Sequence, residues 1–521
     1  MSADRAPEKT KRLKRLWARR SVRCALAALA GAFVTLTLPP FDVLPALAGY
    51  SALLWLIMAE EGARRPHLGR FLVGAAFGFG GHLMGLWWVG AAFLVEADRY
   101  GALLPVAVLG LPLLLAPFMG VAAVLSALAS PTLAWRAVGL AVAVSFVEVA
   151  RGVVLTGFPW NGVGVQVTQS ALLAQGAAVV GVSGLAIVAV LLGALPAALF
   201  ERRSRWLGAP VGLILAALAV FGAFRLWTAP PTAEDAPRVR IVQPNIPQHL
   251  KWAPQERLPN WQTLLTLTAG DGGAPDIVLW PETAIPFLYR PGGMEQVMLT
   301  EALAGATLIT GAAEIETTAA GRRTFNAVLT VGPDGVVNGR YNKVRLVPFG
   351  ETVPLAGLLE RVGLTALAAG GATFAPGEQA VRLDVPGVPP FQPLICYEVI
   401  FSTFDVPGDV AFIANVTNDA WFGDTPGPRQ HLRHAALRAI ERGVPVLRAA
   451  NTGISAVFDA QGRQQAVVPL GVAGALDAPL PAARGSLYQR LGDAGLVALW
   501  LICGLFGVAR VVRRRRIHVL R

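Results

Sequence analysis

Long apolar runs with little polar interruption fill the chain up to residue 228. A helix that crosses a bilayer takes about 20 mostly apolar residues. Runs at 22–38, 44–60, 71–95, 102–129, 133–150, 171–199 and 206–228 meet or approach that length, and one more lies near 493–510. The first is short and stops at Pro39-Pro40, and the fifth carries Glu148. Between 236 and 480 the pattern changes to short β-type runs: VRIVQ, DIVLWPE (276–282), TLITGAAE (307–314), NAVLTV (326–331), PLICYE (393–398), DVAFIANVTND (409–419), VPVLRAAN (444–451) and ISAVFD (454–459). These are wholly apolar or alternating, as expected of strands covered on one or both faces. HLRHAALRAIERG (431–443) has helical spacing, and Gly443 suits a helix C-terminus. The pattern predicts a helical membrane protein with an external, layered α/β domain inserted before its last span.

Composition sharpens this. Apolar residues make up 54% and charged residues 15% of the chain, too apolar for a protein wholly in water. Three cysteines cannot form a disulfide framework. Cys24 and Cys503 sit in apolar runs, which leaves Cys396 as the thiol in a non-membrane setting. The net charge of +12 resides in the tails: residues 1–20 hold eight Lys/Arg and two acids, and the last twelve residues hold six Arg. Basic flanks on apolar segments read as cytoplasmic anchors, and nucleic-acid binding is not expected. The loops EEGARRPHLGR and ERRSRW are also basic, VEADRY less so. That alternation, with both tails on one side, requires an even number of spans, and eight satisfies it. The expected segments are a basic cytoplasmic tail (1–21), a seven-span membrane domain (22–228), an external domain (229–486), an eighth span (487–510) and a second basic tail (511–521).

Three run ends carry chemistry. DIVLWPET delivers Glu282, RYNKVRLVPFGE offers Lys343 and Glu351, and LICYEVIF places Cys396 before Tyr397 and Glu398. A thiol of ordinary pKa is only a few per cent ionised at pH 7 and needs a base. A partly desolvated carboxylate can be that base, and an ammonium can hold the oxyanion made when a thiolate attacks a carbonyl. Glu, Lys and Cys thus complete a nucleophilic set without His.

WPET, NKVRLVPFGE and ICYEVIF, in that order, resemble the Glu-Lys-Cys triad of the nitrilase superfamily, whose fold is an α-β-β-α sandwich. LTLPPFDVLPALA, FGFGGHLMGLWW (77–88), TGFPWNGVG (156–164), VQPNIPQHLKW (242–252), NDAWFGDTPGPRQH (418–431) and RAANTGISAVFD (448–459) resemble, more narrowly, the apolipoprotein N-acyltransferases, from about residue 25 to 505. The resemblance implies acyl transfer from a phospholipid to the α-amine of an S-diacylglyceryl cysteine at the start of a lipoprotein. It implies Glu282 as general base, Lys343 as oxyanion stabiliser and Cys396 as nucleophile. Trp252, Glu351, Tyr397 and Glu398 match further important positions, and Trp421 is a candidate lid residue beside Phe422 and Gly423. No metal or organic cofactor is expected. The implied partners are a phospholipid donor, a diacylglyceryl lipoprotein acceptor and membrane lipids. The implied setting is the bacterial inner membrane, with a periplasmic catalytic domain, cytoplasmic termini and a monomeric chain.

Other readings remain open at this point. His431 and His434 could pair with the thiol or hold a metal. A membrane-tethered amidase would share the triad. A transporter or receptor would need polar groups at mid-membrane, where His82 is the one obvious case. Glu148 and Arg151 read as a helix-end ion pair or as a functional group facing the external domain. The apolar, Gly-containing stretch 355–374 reads as a mobile arm reaching lipid, or as a helix packed on the sandwich.

Overall fold

The structure is a computed structural model and describes residues 19–519, apart from 130, 271, 291, 319–320, 349, 353–373, 405 and 407. The stretch read as an arm, save Phe374, lies outside the described residues.

The apolar runs fold as helices: α1 (Arg20–Val34), α2 (Gly49–Met58), α3 (Pro66–Leu86), α4 (Leu104–Leu125), α5 (Leu133–Arg151), α6 (Ala177–Phe200) and α7 (Gly208–Trp227). With their 3-10 extensions, six segments among the described residues are long and apolar enough to cross a membrane, while Leu44–Met58 and Ala494–Gly507 are shorter. α6 is the central helix, buried along both faces by Leu185, Ala189, Ala194 and Ala197. α7 is peripheral and exposes Leu213, Val220 and Phe224, as a lipid-facing helix does. α1 and α3 touch backbone to backbone. A Cβ on Gly31 would lie 1.9 Å from the Phe77 carbonyl oxygen, and one on Gly80 would lie 1.9 Å from that of Ala28. Small residues at helix contacts matter in lipid, where close packing replaces the hydrophobic drive.

At one end of the bundle, Glu60 pairs with Arg20 (3.0 Å) and Arg23 (2.8 Å), and Glu61 pairs with Arg70 and Arg136. The other end carries the α/β domain. Its first sheet runs β12-β1-β2-β3-β4-β5 and its second β11-β10-β9-β8-β7-β6. The strands are β1 (Arg238–Gln243), β2 (Ile277–Leu279), β3 (Thr307–Thr318), β4 (Gly321–Val331), β5 (Val337–Asn342), β6 (Leu383–Val385), β7 (Val388–Ile395), β8 (Phe412–Thr417), β9 (Val446–Ala450), β10 (Ser455–Phe458), β11 (Gln464–Val468) and β12 (Gly474–Pro479). β1, β2 and β3 are parallel, as are β7, β8 and β9, and the outer strands are antiparallel.

Ile241, Leu279, Ile309, Phe391, Phe412 and Leu447 meet between the sheets. On the far face of the first sheet lie α8 (Arg257–Ala269) and α9 (Met294–Leu303), packed through Trp261, Trp280, Leu299 and Leu303. On the far face of the second lies α10 (Pro426–Arg442), which ends at Gly443 (φ 64°) as the spacing predicts. The domain is therefore an α-β-β-α sandwich. Ala435 and Ala439 of α10 face the sheet, while Leu437 and Ile440 join the core of the membrane bundle. One helix thus serves as the sandwich's outer layer and as its seat on the bundle. After the sandwich, α11 (Ala494–Val519) returns along α5, where Trp500 Nε1 donates to Ser145 Oγ at 2.9 Å.

Candidate active site

The sequence places its reactive side chains just past strand ends, and parallel strands align those ends. Glu282 follows β2, Lys343 follows β5, and Cys396 follows β7. Sites in α/β folds form there, where strand carboxyl ends open onto loops. Two of these turns adopt the left-handed conformation without glycine, Thr283 at φ 44° and Cys396 at φ 48°. Such residues cost of order 1–3 kcal/mol each and persist where the surroundings hold them.

The structure brings Glu282, Lys343, Glu351 and Cys396 into one buried cluster. Lys343, 1% exposed, donates from Nζ to Glu351 at 2.9 Å and to Glu282 Oε1 at 3.4 Å. Asn326 Nδ2 bridges the same two carboxylates, at 2.7 Å from Glu282 Oε1 and 2.8 Å from Glu351 Oε1. Burial opposes the Lys343 charge, but the Glu351 and Glu282 carboxylates outweigh it and hold the ammonium well above its ordinary range. The Cys396 thiol is pushed up to about 12, first by burial and then by the Glu282 charge, with Lys343 pulling the other way. At rest it is a protonated thiol beside a carboxylate that can take its proton.

Tyr397 and Glu398 act as braces. The Glu398 carboxylate is fully buried and accepts four hydrogen bonds, from Tyr341 Oη (2.7 Å), Val344 N (2.8 Å), Arg345 N (3.0 Å) and Ile395 N (2.8 Å). It ties the turn after Lys343 to the strand before Cys396. Tyr397 donates to the Gly157 carbonyl at 2.7 Å and packs against Phe158 and Phe401.

Gly157 belongs to a loop that the Glu148–Arg151 pair holds. Arg151 bonds Glu148 at 2.8 Å and the carbonyls of Phe158 (2.8 Å) and Trp160 (2.9 Å), while Glu148 accepts from Val163 N at 2.8 Å. The pair is a helix-end salt bridge, and its work is to fold this loop against the turn at Cys396.

His431 does not reach the thiol's proton. Its Nε2 lies 3.1 Å from the Cys396 carbonyl oxygen, and its Nδ1 lies 2.7 Å from Asp419 Oδ1. Arg448 completes the cluster at 2.7 Å from Asp419 Oδ2. Burial, then the Arg448 charge, lowers His431 below its ordinary pKa; Asp419 is also lowered, because Arg448 and His431 more than offset its burial. His434 Nε2 accepts from Asn161 N at 3.5 Å. Among the described residues no three His, Cys, Asp or Glu gather as metal ligands.

Trp252 and Trp421 stay outside the buried cluster, 43% and 39% exposed. Trp421 follows Ala420, one of the residues lining a cleft of about 380 Å³ between Leu94 and Val95 of the membrane half and Gln248, His249, Ala420 and Gly423 of the sandwich, and Trp252 lies three residues beyond His249. The neighbouring Phe422 packs on Trp88 and Trp160.

Sequence reasoning missed four members of the site. Asn326 and the Asp419–Arg448 pair left a signal, since an Asn and an Arg inside apolar strands need buried partners. Lys251 left none, because a lysine in a turn-rich stretch reads as solvated. It is 5% exposed, and its Nζ donates to the Glu282 carbonyl oxygen at 2.8 Å.

Residues 30–195 match the family described as apolipoprotein N-acyltransferase N-terminal domain, and residues 238–488 match carbon-nitrogen hydrolase. The apolipoprotein N-acyltransferase of Rhodopseudomonas palustris is 38% identical over 506 residues, 92% of this chain and 94% of the relative. That of Agrobacterium fabrum is 39% identical over 513 residues, 94% of this chain and 95% of the relative. Among solved structures, a mutant amidase of the nitrilase superfamily from Nesterenkonia AN1 aligns with 51% of this chain and 98% of its own at 19% identity, with a TM-score of 0.36. By the length and identity of these matches, the chain belongs to the apolipoprotein N-acyltransferase family.

Proposed function

We propose that this chain is an enzyme that moves an acyl chain from a phospholipid to the α-amine of the S-diacylglyceryl cysteine of a bacterial lipoprotein, through a thioester on Cys396. The carrying observation is a buried thiol beside Glu282 and Lys343, in a sandwich whose outer helix is seated on a membrane bundle.

Glu282 takes the thiol proton as sulfur attacks the ester carbonyl. Lys343 stabilises the resulting oxyanion, and Glu351 and Asn326 position Lys343 and Glu282. Collapse breaks the ester C–O bond, and Glu282 returns the proton to the departing lysophospholipid. The lipoprotein amine then attacks the thioester, which reacts readily with amines, so two moderate steps replace one hard one. No cofactor enters either step. Tyr397 and Glu398 hold the nucleophile turn, and Trp252 and Trp421 meet substrate at the cleft. Water must be kept out, or the thioester hydrolyses; burial of all three triad side chains supports that.

The finer assignments follow from charge and connectivity. The end rich in arginine, at Arg20, Arg23, Arg70 and Arg136, faces the cytoplasm, and the sandwich faces the periplasm. Eight passes, two of them short, return both termini to the cytoplasm. The site is built from one chain, so a monomer suffices.

The test is mass spectrometry of the purified protein after incubation with phosphatidylethanolamine and no acceptor. One acyl chain on the Cys396 peptide, labile to neutral hydroxylamine, absent in Cys396→Ala and discharged by a diacylglyceryl peptide, is the expected result. Folded protein that never carries an acyl chain would sink the reading and turn attention to small-amide hydrolysis.

A further inference from the structure

Lys251 is a buried cation of the site that the steps above leave idle. Among the described residues its ammonium donates a single hydrogen bond, to the main-chain carbonyl of Glu282. An ammonium has three N–H groups, so two are unspent in a place where an unmet donor is costly. Among the described residues no carboxylate pairs with it, whereas Lys343 has two and Arg448 has one. Two of the three N–H groups of Lys343 are already committed to Glu351 and Glu282. The better-supplied donor is therefore Lys251, and Glu282 and Cys396 both lie within its electrostatic reach.

We propose that Lys251 is a second oxyanion donor, its ammonium sharing with Lys343 the negative charge that forms on the acyl oxygen when Cys396 attacks. The inference rests on the acyl-transfer reading. As the S–C bond forms, the carbonyl π pair moves to oxygen and the thiol proton to Glu282. Lys251 and Lys343 hold that oxygen until the ester C–O bond breaks and the alkoxide takes the proton back. A donor whose partner appears only in the transition state stabilises that state selectively. A salt bridge at rest would remove this advantage.

The charge of Lys251 is itself readable. Burial lowers its pKa to about 8, opposed by the Glu282 and Cys396 charges. The other groups around the site are Glu282, Glu351, Lys343, Cys396, Asp419 and His431, with His249 in the same turn. Lys343 and Cys396 are held to higher pH, and Asp419 and His431 to lower.

The experiment follows acyl-enzyme formation from phosphatidylethanolamine with the full-length protein, between pH 6.5 and 10. The expected kcat/KM is level in the acidic range and falls tenfold per pH unit above about 8. In Lys251→Arg, whose charge does not titrate there, the activity that remains should lack this alkaline fall, which also controls for titration of the lipid amine. Lys251→Met should lower kcat about a hundredfold at nearly unchanged KM, also without the fall. A wild-type profile level to pH 9.5, a fall that persists in Lys251→Arg, or full kcat in folded Lys251→Met would each overturn the proposal. A wild-type protein that forms no acyl-enzyme at any pH would instead overturn the acyl-transfer reading beneath it.

Discussion

Glu398 makes the clearest forecast at the level of a single side chain. Replacing it with Ala would leave three backbone N–H groups and the Tyr341 hydroxyl without their acceptor. Buried donors stranded in this way destabilise by about 1–3 kcal/mol each before relaxation, so Glu398→Ala should lose at least about 3 kcal/mol, read as a lower melting temperature in detergent. Tyr397→Phe removes one bond, to Gly157, and should cost about 1 kcal/mol. A melting temperature equal to wild type in Glu398→Ala would show that the carboxylate is not the brace described. The histidines set the pH response. His431 and His434 are held below their ordinary pKa, chiefly by burial. The folded state therefore binds fewer protons than the unfolded one below about pH 6.5. Stability should fall on acidification from there toward pH 5, and His431→Gln with His434→Gln should flatten the slope. The cluster of Glu282, Lys343 and Cys396 was legible from residue order because it breaks the apolar pattern at three run ends. The bracing role of Tyr397 and Glu398 was not, since their partners at Gly157 and Val344 lie far off in sequence.

Among the elements, β3 carries a tight constraint next to the site. A Cβ on Gly311 would lie 2.4 Å from Thr283 N and 2.5 Å from Glu282 Cα, so the glycine lets β3 lie against the turn bearing Glu282. Gly311→Ala should push Glu282 aside and lower acyl-enzyme formation about a hundredfold, as misplacement near 1 Å can do, while the protein still folds. The pre-steady-state burst of acyl-enzyme measures it, and a wild-type burst would refute the constraint. The central strands were readable because they are apolar on both faces. β5, β6, β11 and β12 were not, since they lie at or near the sheet edges and their alternating polar residues resemble loop. The helix over 431–443 was readable by period, but its start at Pro426 was hidden in a Gly- and Pro-rich stretch. Nothing in the spacing showed that its second face belongs to the bundle.

The whole molecule has two ends of opposite character, and that polarity can be checked in cells. In a background with Cys24 and Cys503 changed to Ser, a membrane-impermeant maleimide should label Asp424→Cys from outside and leave Arg64→Cys unlabelled until the cells are opened. Labelling of both from outside would reverse or abolish the proposed topology. Hydropathy and loop charge showed the apolar segments but could not rank them, because burial inside the bundle and contact with lipid call for the same residues.

The seat between α10 and the bundle is also a set of bolts. Gln430 Oε1 accepts from Trp88 Nε1, Trp160 Nε1 and Asn161 Nδ2 at 3.1, 3.2 and 2.9 Å, and Glu441 Oε1 accepts from Val182 N at 2.6 Å. A sandwich fastened in this way works at one fixed altitude over the bilayer and meets both substrates as a population spread across a plane. The quantity that drives such an enzyme is molecules per unit of surface rather than per unit of volume. Thinning the donor with inert detergent, at constant bulk amounts of enzyme and lipid, should slow it in proportion to the area added.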